Sequence, residues 1–275
     1  MCRVLQVSRS GYYAGKSRSP SARFHRRSAL SAAIQEAHAA SRKTYGSPRI
    51  TAALKKKGVA CCVNTVAKIM RKDGLAAKVK RRFKVTTDSG HDLPTAPNRL
   101  AQCFRQERPN QAWVSDITFI ATDEGWLYLA TEMDLYSRKI VGWAMGERLT
   151  TELVSSAFSM AIAQRCPPAG LLHHSDRGCQ FASGAFRQLL AAQRAVCSMS
   201  RKGNVYDNAP MESFYSTLKR ELVHPGAFVT RHQARTALFE YIEVFYNRQR
   251  LHSTLGYRSP TEFEAHGTKR KPSVH

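Results

Sequence analysis

Acidic residues are scarce in this sequence. Its 275 residues carry 20 Asp and Glu against 43 Lys and Arg, a net charge of +23. Long apolar runs are missing as well: none approaches the roughly 18 residues that cross a bilayer. The opening stretch, MCRVLQVSRSGYYAGKSRS, has no apolar centre of the secretory-signal kind. A cytosolic location is therefore expected. Cysteine motifs are absent too. The seven cysteines are odd in number and contain no C-x-x-C, which argues against a disulfide framework and a structural zinc site. What is present, 43% hydrophobic and 9% aromatic residues, is a globular composition rather than a disordered one. The length suffices for two domains and a sizeable core.

The positive charge is concentrated at one end. Residues 1–110 hold 24 Lys and Arg with 5 Asp and Glu, whereas residues 111–275 hold 19 and 15. A basic front half reads as a surface for a polyanion, most commonly nucleic acid. CRVLQVSRSGYYAGK looks like the second half of a helix-turn-helix, its first helix expected upstream of Met1. ALSAAIQEAHAAS spaces Leu30, Ala33, Ile34 and Ala37 as one helix face. TYGSPRITAALKKKG reads as a turn and a short helix closed by Gly58. In VNTVAKIMRKDGL, Asn64 is the expected N-cap and Gly74 the stop. Val63, Val66, Ala67 and Met70 would share one side, and Thr65, Lys68 and Lys72 the other. A recognition helix needs that division, apolar against its partner and basic towards the major groove. A helical bundle with a solvated basic face fits the same pattern.

Residues 80–108 begin basic and turn rich in Pro, Thr, Asp and Asn, which reads as a linker. Beyond it the period becomes that of strands. AWVSDITFIAT alternates, and WLYLATEMDLYSRKIVGWAM is a hairpin turning near Tyr136, Ser137 and Arg138. Next come a helix (TTELVSSAFSMAIAQR), a short strand (GLLHHSD), a helix (SGAFRQLLAAQ), a strand (AVCSMS) and a helix from about Asp207. Three meandering strands and then alternating units predict a mixed five-stranded α/β sheet. A long helix, ARTALFEYIEVFYNRQR, comes after these, and SPTEFE carries a helix-start signature in Ser259, Pro260 and Glu262.

Against this basic background three acids stand out. Asp116 lies inside a strand, on the face of Val114, Thr118 and Ile120, where a bare carboxylate is costly without a positive or hydrogen-bonding partner. Asp176 closes the fourth strand. Glu212, Ser216 and Lys219 line a polar helix face, beside an apolar one of Met211, Phe214, Leu218 and Leu222. Thirty-five residues separate Asp176 from Glu212. Taken singly, Asp176 could be a turn residue and Glu212 a first-turn acid; no turn or cap rule explains Asp116. Asp134 fits a turn or capping role. His173 and His174 lack the partner cysteines of a structural zinc site, though one shares the Asp176 face and could touch substrate. Lys219 is a candidate phosphate contact. So are Arg248 and Arg250, with Asn247, although a solvated helix end accounts for these equally.

WVSDITFI, GWLYLATEMDLYSRKIVGWAM, HHSDRGCQF, SRKGNVYDNAPMESFYSTLKRE and YIEVFYNRQRLHSTLGYRSPTEFE, in that order, resemble bacterial insertion-sequence transposases of the IS-three family, second-frame (orfB) type. The resemblance runs over essentially the whole chain. It implies a ribonuclease H-like α/β fold, a mixed five-stranded sheet with flanking helices preceded by an all-α helix-turn-helix region. It divides the chain into a partial helix-turn-helix remnant (1–20), a DNA-binding domain (21–84), a linker (85–108), an integrase catalytic core (109–225) and a C-terminal helical extension (226–275). It puts an Asp-Asp-Glu triad on Asp116, Asp176 and Glu212. Two departures from the family are Cys179, in place of a small polar residue, and Glu132, in place of an apolar one.

The implied chemistry suits these acids. Phosphodiester cleavage needs charge stabilised on a pentacovalent phosphate and an activated nucleophile, and a pair of Mg²⁺ ions roughly 3.5–4 Å apart does both. Such hard cations take oxygen ligands; Asp116 would bridge both ions, Asp176 and Glu212 each completing one. Mn²⁺ is expected to substitute. Further DNA contacts are expected from Ser216, Lys219, Thr65, Lys68, Lys72, Arg248 and Arg250. The expected partners are double-stranded DNA, as terminal inverted repeats and as target, further copies of the chain in the DNA complex, and the first-frame product or a fusion with it. The expected location is the bacterial cytoplasm, with the nucleoid. A catalytically inactive DNA-binding regulator and a ribonuclease H-type nuclease are the alternatives.

Overall fold

The computed structural model describes residues 2, 4, 6–78 and 94–268. It divides into two compact units, residues 1–77 and 78–275. Part of the 85–108 stretch, residues 85–93, lies outside the described residues, as do 79–84 and 269–275.

The first unit is all helical. Helix α1 (Arg9–Ser17) starts after Ser8, whose hydroxyl accepts from Gly11 N at 3.0 Å and caps it. Helices α2 (Ala22–Ala40), α3 (Ser47–Lys56) and α4 (Val63–Lys72) pack on one another through Ile34, Ala37, Ile50, Leu54, Val66, Ile69 and Met70. Gly58 and Gly74, at φ 78° and 65°, end α3 and α4 in the left-handed conformation that glycine adopts without strain. Two details of α4 differ from the sequence reading. Its cap is Cys62, extended at φ −107° and ψ 155°, so Asn64 sits inside the first turn. Val63 is 42% exposed, and Ile69 completes the buried side instead.

The second unit is built on five strands: β1 (Ala112–Thr122), β2 (Gly125–Asp134), β3 (Lys139–Gly146), β4 (Leu172–Ser175) and β5 (Val196–Met199). Their order is β3-β2-β1-β4-β5. The first three form an antiparallel meander, and β4 and β5 run parallel to β1. One face carries α5 (Thr151–Arg165), the short α6 (Cys179–Ala182) and α7 (Gly184–Ala192). Between them and the sheet lies the main core, with Trp113, Val141, Val154, Phe158, Phe181, Phe186 and Met199 buried. Gly142 permits the closest approach there: a Cβ would stand 2.2 Å from Ala157 O on α5.

The other face carries α8 (Ala209–Leu218) and α9 (Arg231–Phe239), while α10 (Pro260–Thr268) packs at the β2–β3 turn, where Ser137 donates to Glu264 and Tyr136 meets Phe263. Both α8 and α9 run on into π-helical turns, Lys219–Val223 and Glu240–Tyr246. A π turn inserts a residue and rotates the chain beyond it. That is why Glu221 is buried after Leu218, in place of the expected Leu222. The Ser259–Glu262 capping box forms as the sequence suggested, each residue's amide donating to the other's side chain at 3.3 Å.

Candidate active site

Strand β1 pairs with β4 only from Ala112 to Val114, while its ladder with β2 continues to Thr122. The parallel pair therefore parts at Ser115, beyond which β1 and β4 share no ladder. Asp116 stands on β1 just past the parting, and Asp176 comes directly after the last residue of β4. Both are half-buried. Glu212, exposed in the first turn of α8, completes the group.

The acids lie within one another's field. The Asp116 carboxyl is pushed well above the usual range, first by burial, then by the charge of Asp176 and, less, of Glu212. Its Oδ1 accepts from Ile117 N at 2.7 Å, and Lys219 acts with this bond in the opposite direction. Asp176 Oδ1 accepts from Gly178 N at 2.9 Å. Burial raises Glu212 and lowers Lys219, the latter offset by Asp116. Among the described residues no three His, Cys, Asp or Glu side chains are gathered into a group that could hold a metal ion. Asp116, Asp176 and Glu212 come from three separate elements, β1, the end of β4 and α8. Their donors are all carboxylate oxygens, the set that hard divalent cations select.

The loop before α8 is pinned by Asp207, which the sequence reading did not single out. This buried carboxylate accepts from Arg201 N, Nε and one terminal nitrogen, from Asn98 Nδ2 and from Gln102 Nε2, all at 2.8–2.9 Å. Arg201 holds its carboxyl far below the usual range. Asn98 and Gln102 belong to the 94–108 segment, which has no helix or strand yet buries Leu100.

Several sequence expectations resolve here. Asp134 has the turn role: it accepts from Asn110 N and Tyr136 N and pairs with Arg165 at 3.1 Å. Both histidines are fully buried, so neither can touch substrate. His173 Nε2 donates to Glu132, 3.1 Å away, which gives that unexpected acid its partner. His174 sits between Ser198 Oγ (2.9 Å) and Ser200 Oγ (3.2 Å). Burial, then the neighbouring His173, pushes it down to about 4. Arg250 is not available to DNA. It is buried with one guanidinium edge, Nε and a terminal nitrogen, on Glu221, an arrangement that π-helical rotation produces and helical periodicity does not reveal. Asn247 is likewise consumed by Ile140 N and O. Arg248, Thr65, Lys68 and Lys72 are exposed, and Ser216 and Lys219 half-buried.

An antiparallel meander extended by two parallel strands, with acids where the sheet parts, defines an integrase-type core. Comparison with known proteins agrees. Residues 106–205 and 212–267 match integrase core domain models, and residues 25–83 an HTH-like domain model. The chain is 48% identical over 263 residues to the insertion element IS600 uncharacterized 31 kDa protein of Shigella sonnei, covering 96% of this chain and 97% of that one. It is 42% identical over 266 residues to the transposase InsF for insertion sequence IS3A of Escherichia coli K12, covering 96% and 92%. A simian T-cell lymphotropic virus intasome, solved in complex with a PP2A regulatory subunit, shares the fold at 16% identity and a TM-score of 0.50, over 88% of this chain and 76% of that one. The chain belongs to the IS3 family of insertion-sequence transposases, and is of the orfB type.

Proposed function

We propose that this transposase cleaves the ends of an insertion sequence and joins the freed 3′-hydroxyl to a target phosphodiester, with Asp116, Asp176 and Glu212 holding two Mg²⁺ ions. The observation that carries the assignment is placement: Asp116 stands on β1 just past its last pairing with β4, Asp176 directly after the end of β4 and Glu212 in the first turn of α8, and the raised Asp116 carboxyl, with Asp176 and Glu212 among its causes, supports it. Carboxylates that destabilise one another are a site waiting for positive charge. Bound there, divalent ions supply Lewis-acid stabilisation of the developing phosphate charge and activate the attacking hydroxyl. The chain's own part is to present oxygen donors from three separately anchored elements. Lys219 adds an ammonium for a neighbouring phosphate. Double-stranded DNA is held by the basic N-terminal unit, with Thr65, Lys68 and Lys72 on the exposed side of α4 and Arg248 as a further contact. Several copies of the chain, alone or with the first-frame product, assemble on paired terminal repeats in the bacterial cytoplasm. Among the described residues no helix is long and apolar enough to cross a membrane.

The test uses Asp116→Asn, Asp176→Asn and Glu212→Gln, which keep shape and remove charge. Each abolishes cleavage and joining of a terminal-repeat donor and leaves DNA affinity near wild type, since affinity comes mostly from phosphate contacts elsewhere. Mg²⁺ or Mn²⁺ is required, Ca²⁺ does not substitute, and excess chelator stops the reaction. Near wild-type joining by any variant removes that residue from the site. Cleavage in chelator removes the metal mechanism. An inactive wild type that still binds repeats would make the chain a regulator, and cutting without joining a nuclease.

A further inference from the structure

Helix α8 is fastened to β1 at two points, one on each side of Glu212. Asn208, at the helix's N-cap position, donates from Nδ2 to Ser115 O at 3.1 Å. Tyr215 donates its hydroxyl to Asp116 O at 2.6 Å. That uses the phenol's one proton, so the 2.8 Å contact between Tyr215 and Thr131 Oγ1 is donated by the threonine. Asn208, Glu212 and Tyr215 stand at i, i+4 and i+7, a single stripe along a helix.

The two accepting carbonyls lie on opposite edges of the strand. Gln111 O accepts from Leu172 N, at the start of β4. Carbonyls two residues apart on a strand face the same neighbour, so Ser115 O is the one that the next β4 amide would have met. Pairing with β4 has stopped at Val114, and the Asn208 amide takes the vacant place. Asp116 O faces the other way, towards β2, where Thr131 and Leu129 supply Tyr215's remaining contacts. The helix thus straddles β1 where the sheet parts. Asn208 and Tyr215 are both buried, and the Asn208 Oδ1 has no protein partner. Ser115 O can only accept, so the amide orientation is set by chemistry.

We infer that Asn208 and Tyr215 are positioning residues, a two-point clamp that sets Glu212 over Asp116 and keeps β1 and β4 apart between the two aspartates. The inference rests on the assignment of Asp116, Asp176 and Glu212 as the catalytic triad. A helix held at one point can pivot about it, whereas bonds to both edges of one strand set its height and its rotation. Small displacements matter in such a site, because an error of about 1 Å can cost 10²-fold in rate.

The test compares Tyr215→Phe and Asn208→Leu, each removing a donor at nearly constant volume, with wild type and Asp116→Asn, all in the full-length chain. Four quantities are measured: terminal-repeat affinity, thermal midpoint, Mn²⁺ binding by calorimetry without DNA, and the single-turnover joining rate across Mn²⁺ concentrations. The expected result for both clamp variants is unchanged DNA affinity, severalfold weaker Mn²⁺ binding and a higher Mn²⁺ requirement. Joining slows by about ten- to hundredfold at saturating DNA. A merely structural role would lower the midpoint and the active fraction and leave the Mn²⁺ requirement of the surviving molecules where it was; that result overturns the clamp, as does wild-type behaviour in both variants. If Asp116→Asn itself keeps Mn²⁺ binding and joining, the triad assignment fails first and the clamp with it. A dead Asp116→Asn beside unaltered clamp variants removes the clamp alone.

Discussion

Arg250 reaches Glu221 with two nitrogens, Nε at 2.9 Å and a terminal nitrogen at 2.8 Å, and both side chains are buried. Tyr241 donates a third hydrogen bond to the same carboxylate at 2.8 Å. Removing one partner of such a pair leaves a buried charge without compensation. Arg250→Met is expected to destabilise the fold by about 3–5 kcal/mol, read from urea unfolding. DNA affinity per folded molecule and its salt slope stay unchanged. Weaker DNA binding at undiminished stability would return Arg250 to the DNA surface.

Asp207 makes stability sensitive to acid. Its folded-state pKa is depressed, chiefly by Arg201, so the unfolded chain takes up the proton first as pH falls. The stabilisation is complete above the unfolded value of about 3.9 and is lost as pH drops below it. Asp207→Asn should cost about 1.5–3 kcal/mol at neutral pH, as hydrogen bonds to a charged group do, and flatten the acid limb of a stability–pH curve. A variant curve parallel to wild type below pH 4 would show that Asp207 carries no such linkage.

Asp116 has the opposite sign. Its pKa is raised in the fold, so the ionised carboxylate opposes folding at neutral pH and the penalty is relieved as pH falls. In chelator, Asp116→Asn should therefore melt at a higher temperature than wild type while being unable to join DNA. Added Mg²⁺ raises the wild-type midpoint by linkage and leaves the variant's nearly fixed. A lower midpoint for the variant in chelator would contradict this account.

On the N-terminal unit, position separates recognition from bulk charge. Lys68 and Lys72 lie on the exposed side of α4, Lys55 and Lys56 at the exposed end of α3. Replacing Lys68 and Lys72 with Ala should weaken terminal-repeat binding and reduce the log–log salt slope by about 0.9 per lost phosphate contact. Replacing Lys55 and Lys56 should do less. Thr65→Ala should change sequence preference more than salt slope, because residues near the start of a recognition helix reach base edges. Equal losses from both lysine pairs would reduce α4 to a charged surface.

Much of the architecture is legible in the sequence. Alternation marks β1, glycines mark the ends of α3 and α4, and the Ser259–Glu262 pair marks α10, since each is a local preference of a few neighbouring residues. Asp116 is conspicuous because an acid inside a strand has no local explanation. The errors have physical causes too. Helical periodicity puts Leu222 inside and leaves Arg250 open to DNA, whereas after two π turns, which leave no trace in a 3.6-residue pattern, Glu221 and Arg250 are the buried pair and Leu222 is half-buried. Cys62 replaces Asn64 as the cap of α4 because the cap is set by where the chain stops being extended.

The sequence by itself determined the element order, the basic character of the front half and the three acids, because period, charge and the solvation cost of a carboxylate are properties of residues in their local context. Only the tertiary structure decided which polar groups meet. Glu132 finds His173 41 positions away, Asn98 and Gln102 find Asp207, and Asn208 and Tyr215 grip the two edges of one strand. A hydrogen bond acts over about 3 Å of space and is indifferent to separation along the chain. Such partners are decided by the parting of β1 from β4 and by the packing of α8 across it.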